Sequence, residues 1–107
     1  MAFYHLDTVE KKNILAGYGI KFIHGENVSM VYLDIEPNAV LPEHSHVHEQ
    51  FSTVLQGRFE MTVGDETQVL EPGGVAHIPP NVPHSGRALS HCWMIETFYP
   101  VKAEKLD

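Results

Sequence analysis

Three imidazoles and a carboxamide fall within seven residues at His44-Ser45-His46-Val47-His48-Glu49-Gln50, and another imidazole, His84, follows Pro83 downstream. Neutral imidazole is the commonest protein ligand for borderline divalent metals. Side chains two apart on a strand point the same way, so His44 and His46 are spaced to grip one ion. His84 is the expected further ligand. The bland alternative is an exposed His-rich turn that binds nickel resin and nothing in the cell.

Such residues need a scaffold, and the chain reads as strands. Apolar and β-branched runs cover 19–24 and 28–36, with Gly25-Glu26-Asn27 between them and Pro37-Asn38 after them. Residues 50–55 lead to Gly57, and 58–63 alternates, with Phe59, Met61 and Val63 on one face. Gly64-Asp65-Glu66 is a hairpin turn from which 67–70 returns. A short strand at 75–78 precedes the stiff loop Pro79-Pro80-Asn81-Val82-Pro83, and 89–99 reads as one long strand. Short strands punctuated by Gly and Pro predict an all-β sandwich or barrel. Helical periodicity is nearly absent. Its best window, 8–16, opens on an N-cap-like Thr8, and a turn or strand lead-in fits it equally well.

With this order of elements, the chain resembles the cupin superfamily, small jelly-roll β-barrels with a metal deep in the cup. The family's first motif is His-x-His, three or four residues, an acid, six residues, Gly. Here it reads His44-x-His46, three residues, Gln50, six residues, Gly57. The second motif reads Gly73, five residues, Pro79-Pro80-Asn81, two residues, His84, three residues, Ala88. Every spacing holds. The substitutions are Asn38 and Asn81 for glycines, Gln50 for Glu and Ala88 for Asn, and Asn81 is the milder change, since Asn also tolerates positive φ. The resemblance implies one cupin domain over 1–107, with its barrel core at about 19–100.

The strings around both motifs, with Arg87-Ala88-Leu89 after the second, are similar to the KdgF-type small cupins. Those proteins open unsaturated monouronates, released from pectin or alginate, to linear keto acids. Carried over, their ligands are His44, His46, Gln50 and His84. Their C-terminal Asp-x-Phe-x-Pro-x-Arg becomes Glu96-Thr97-Phe98-Tyr99-Pro100-Val101-Lys102, keeping charge and altering reach. Lys102 cannot reproduce the bidentate grip of Arg on a carboxylate.

Several residues carry two readings. Gln50 is a neutral ligand that leaves the ion's double charge uncompensated, or else water fills its slot. His48 shares parity with His44 and His46 as a conceivable ligand, yet the family pattern skips it, which puts it at the mouth or behind the ligands. Glu96 is in phase with Met94 and Phe98. If that face lines the cup, the carboxyl is desolvated and its pKa rises, suiting it to proton transfer. Otherwise Ile95 and Thr97 face in and Glu96 faces out. Arg87 steadies a substrate carboxylate or pairs with a surface acid. Phe98, like Phe59 and Met61, is core or pocket wall. His77 is expected as a satisfied barrel histidine, and His5, His24 and His91 as surface residues.

A charge of −7 with only 7 Lys and Arg argues against nucleic acid and anionic membranes as partners. No apolar run approaches a bilayer span, and the first residues do not resemble a signal peptide, so the expected compartment is the cytoplasm. The single Cys92 excludes an internal disulfide and is expected to be buried and inert. The leading functional expectation is an isomerase or lyase-like enzyme using a divalent ion (Ni, Zn, Mn or Fe) on a small anionic sugar acid. Glu96 would move the proton, and Arg87 or Lys102 would hold the carboxylate, with Phe98 and His48 lining the pocket. The alternatives are a non-haem metal dioxygenase and a non-catalytic metal- or sugar-binding cupin. A homodimer is expected, with the edge strand at 19–24 given a reason to pair.

Overall fold

A computed structural model describes residues 2–106 as nine antiparallel strands in two facing sheets. The strands are β1 Tyr18–His24, β2 Ser29–Ile35, β3 Val40–His44, β4 Glu49–Gln56, β5 Phe59–Val63, β6 Glu66–Leu70, β7 Val75–Ile78, β8 His84–Ala88 and β9 Cys92–Tyr99. One sheet runs β1-β2-β9-β4-β7 and the other β3-β8-β5-β6. This is the all-β jelly-roll expected from the sequence.

Alternation decides what faces the interior. On β9, Cys92, Met94, Glu96 and Phe98 are buried, while Trp93, Thr97 and Tyr99 face solvent. On β2 the inward set is Ser29, Val31, Leu33 and Ile35, and on β4 it is Gln50, Ser52 and Val54. The register then lays these sets side by side. Ser29, Phe98 and Gln50 form one row, Val31, Glu96 and Ser52 the next, and Leu33, Met94 and Val54 a third. Side-chain direction has period two, so a slip of one residue would turn Glu96 and Gln50 out to water. The third row joins Ile20, Ile35 and Phe59 in the apolar floor of the cup.

Two strands escape the sequence reading. β3 contains Pro42 and a register shift between Leu41 and His44, which suits proline's confinement to edges and bulges. β8 is polar, and it is a strand because Gly86 lets β5 pack closely: a Cβ at Gly86 would lie 2.3 Å from the Phe59 ring. The single strand read over 89–99 therefore begins late, at Cys92, and a separate strand occupies 84–88. Thr8 caps no helix. His5 accepts the Asp7 N–H at the start of a three-residue 3₁₀ turn over Leu6–Thr8, and Lys12 pairs with Ile20. Asn38 (φ 70°) and Asn81 (φ 65°), which stand where the motif glycines were expected, are the non-glycine residues of positive φ among the described residues.

Candidate metal centre

Strand ends bring the histidines together. β3 and β8 pair His44 directly with His84, and the β3–β4 loop swings His46 across, held by the Asn81 N–H donating to the His46 carbonyl at 2.7 Å. Ring centroids lie 4.2 Å apart for His44 and His84, 4.9 Å for His46 and His84, and 5.5 Å for His44 and His46. One ring nitrogen from each falls within 4.8 Å of the others.

Their proton positions follow from the hydrogen bonds. Nδ1 of His44, His46 and His84 faces the carbonyl of Pro42, His48 and Val82 at 2.9, 3.2 and 2.9 Å. A carbonyl only accepts, so each Nδ1 carries the hydrogen and each Nε2 keeps its lone pair. Nε2 of His84 is buried without a hydrogen-bond partner. Nε2 of His46 faces Gln50 Oε1 at 3.0 Å, while the Gln50 amide N–H groups donate to Ser52 Oγ (2.9 Å) and Glu96 Oε2 (2.8 Å). Two lone pairs thus oppose each other in a buried place, an arrangement that a cation between them relieves. A proton is disfavoured there. Burial, then the neighbouring His44 and Lys102, hold His46 below its ordinary pKa, against the hydrogen bonds of His48 and Gln50. Burial brings His84 down to about 4. The donor set of three imidazoles and one amide oxygen fits a divalent ion.

Glu96 lies beside this centre. Its Oε2 accepts from Gln50 and from Ser52 Oγ (2.7 Å). Burial raises its pKa to about 7, opposed by those hydrogen bonds and by the Lys102 charge. A carboxyl in that range exchanges its proton readily near neutral pH. The inward reading of Glu96 is the one the fold realises.

The cup itself is a cavity of about 60 Å³ with apolar walls that include Leu33, Phe59, Met61 and Met94. His44, His46, Gln50, His84, Glu96, Phe98 and Lys102 all line it. His48 stands behind His46 and Phe98 (ring centroids 5.4 and 6.1 Å) with Nε2 on the Val101 carbonyl at 3.2 Å, outside the cluster of converging nitrogens. Arg87 is not brought to the cup. It is exposed on β8, whose inward residues are His84, Gly86 and Ala88, because an odd step from His84 reverses its direction. His77 likewise faces outward, satisfied by Glu49 at 2.6 Å and stacked on Phe51, rather than sitting inside the barrel. Cys92 is buried, its thiol donating to backbone carbonyls and raised in pKa by burial.

The sequence reading missed Ser52 and Tyr18. Ser52 shares parity with Gln50, so its inward direction was readable, but its contact with Glu96 depends on a pairing 44 residues apart. Tyr18 lines the cup at one end of β1, its hydroxyl buried without a partner.

The chain belongs to the cupin family: the model of the Cupin domain matches residues 31–97. A solved RmlC-like cupin from Shewanella frigidimarina NCIMB 400 superposes with a TM-score of 0.91 at 25% identity, over 97% of this chain and 95% of that one. KdgF from Halomonas sp. superposes at 0.89 with 27% identity, over 94% and 96%. Oxalate decarboxylase from Bacillus subtilis, at 17% identity, shares the fold (TM-score 0.81, over 91% of this chain and 29% of that one). No curated protein sequence matches the chain. No helix among the described residues is long and apolar enough to cross a membrane.

Proposed function

We propose that this cupin is a metal-dependent isomerase that opens an unsaturated uronate, or a similar sugar acid, to its linear keto form. The observation that carries the reading is Glu96, a buried carboxyl with a pKa near 7 that shares a cup with the converging imidazoles. His44, His46, Gln50 and His84 would hold the ion. A divalent cation bound there supplies Lewis-acid polarisation of a substrate oxygen. Because all four donors are neutral, its charge stays uncompensated by ligands and favours an anionic substrate.

The reaction needs one proton moved and no redox partner. The anomeric hydroxyl loses its proton to Glu96, and the bond from the anomeric carbon to the ring oxygen breaks. That carbon becomes an aldehyde and the ring oxygen an enolate. Glu96 returns the same proton to the far carbon of the enolate double bond, giving the ketone. Ser52 and Gln50 both donate to Glu96 Oε2 and so fix the carboxyl's orientation through the transfer. Phe98 walls the cup beside Lys102, whose ammonium lies 5.8 Å from the ring centroid and supplies a cation for the substrate carboxylate. The likeness to KdgF over nearly the whole chain supports the same substrate class.

The test is turnover of unsaturated galacturonate by metal-loaded protein, followed as loss of absorbance from the conjugated double bond. Decay that disappears in Glu96→Gln supports the reading. Unchanged absorbance with fully metallated wild-type protein removes it.

A further inference from the structure

The C-terminal segment beyond β9 crosses the cup, where Lys102, Lys105 and Leu106 join its lining. Nothing in the sheets holds this segment by a strand pairing. It is tied down instead by a chain of side-chain hydrogen bonds starting from the β1–β2 hairpin. His24, at the end of β1, contacts Ser29 Oγ through Nδ1 at 2.7 Å and Glu104 Oε2 through Nε2 at 2.8 Å. Ser29 Oγ also accepts the backbone N–H of Lys102 at 2.9 Å. Ser29, having accepted from Lys102, donates its own hydrogen to Nδ1, and Nε2–H donates to the carboxylate. Lys12 Nζ adds a contact to Glu104 at 3.5 Å.

Ser29 is fully buried, so this is no nucleophile awaiting substrate. What the chain does is fix the backbone of Lys102. Lys102 is 3% exposed, and its Nζ donates to the carbonyls of Ala103 (3.3 Å) and Lys105 (2.7 Å). Its cation therefore sits where the fold of the segment puts it. Segment, clasp and charge form one unit.

We propose that Ser29, His24 and Glu104 are positioning residues that hold the C-terminal segment across the cup and thereby set the place of the Lys102 cation for an anionic substrate. This rests on the reading of the cup as a site for a small sugar acid. His24 is not itself part of the cup's lining, and its two hydrogen bonds run to Ser29 and Glu104.

The experiment compares wild-type protein with His24→Phe, Glu104→Gln and Lys102→Met, each loaded with nickel. His24→Phe keeps a ring to stack on Phe22, 5.7 Å away between centroids, and removes both hydrogen bonds. Two quantities are read: amide hydrogen exchange over residues 100–106, and calorimetric affinity for D-galacturonate against neutral D-galactose. The wild type is expected to prefer the acid by about tenfold, the scale of one charge-assisted contact. In His24→Phe and Glu104→Gln, exchange over the segment is expected to rise about tenfold or more. The preference for the acid is expected to fall toward that of Lys102→Met, with galactose binding unchanged. Wild-type preference retained in both clasp variants overturns the proposal, whatever their exchange rates. No preference in the wild type overturns the sugar-acid reading of the cup and the clasp proposal with it, whereas a preference undiminished in Lys102→Met overturns the clasp proposal alone.

Discussion

Glu96→Gln in metal-free protein separates the electrostatics of the cup from its catalysis. Glu96 is buried, 9% exposed, and its pKa rises from 4.5 to about 7, which corresponds to about 3 kcal/mol of linked stability. Below 4.5 the carboxyl is protonated in both folded and unfolded chains, and pH has no leverage through it. Between 4.5 and about 7 the unfolded chain releases the proton while the folded one keeps it. Wild-type stability therefore falls through this window as pH rises, and the penalty is complete above about 7. Gln at this position keeps a polar amide beside Ser52 and Gln50 and does not titrate. His84 works in the opposite direction. Its pKa, lowered to about 4, costs stability as pH falls below the ordinary 6.5, in both proteins alike. The difference between variant and wild type isolates Glu96. Urea unfolding of chelated protein from pH 4 to 8 should show Glu96→Gln gaining on the wild type by about 3 kcal/mol across the window. A difference that does not change with pH would refute the claim that Glu96 is buried as a proton-holding group.

Removing His84 as alanine should lower metal affinity by on the order of 100-fold or more, beyond the usual loss from an outer partner, as measured by competition with a chromogenic chelator. Gln50→Glu should tighten metal binding and, by placing a second carboxylate beside Glu96, move the pH midpoint of turnover upward. Gly86→Ala should cost about 1–3 kcal/mol in thermal unfolding, because its new methyl group meets the Phe59 ring. Protein loaded with iron without oxygen should consume none on adding the uronate, whereas a dioxygenase would draw down an oxygen electrode. Sedimentation at two concentrations should show the proposed homodimer, and a 12.0 kDa species at both would reject it.

The long alternating strand β9 was readable because period-two patterning survives in isolation, and the motif spacing put His44, His46, Gln50 and His84 in one place before any coordinates. Asn81 was readable too, since asparagine tolerates the left-handed backbone it adopts. β3 and β8 were hidden for a physical reason. Pro42 speaks against a strand, Ser85-Gly86-Arg87 lacks apolar alternation, and both segments are strands only because neighbouring ones pair with them. Whether Arg87 enters the cup was decided by parity with His84, a relation that exists only once 84–88 is a strand. The link from His24 to Glu104 spans 80 residues and follows from where the chain returns across the cup, so His24 read merely as a surface residue.

The central claim is that His44, His46, Gln50 and His84 converge to hold a cation, and elemental analysis of protein purified without a His tag tests it most directly. About one divalent ion per chain is expected after dialysis, falling to background in the His84→Ala variant. Wild-type protein that stays metal-free after incubation with nickel, zinc, manganese and ferrous iron would contradict it.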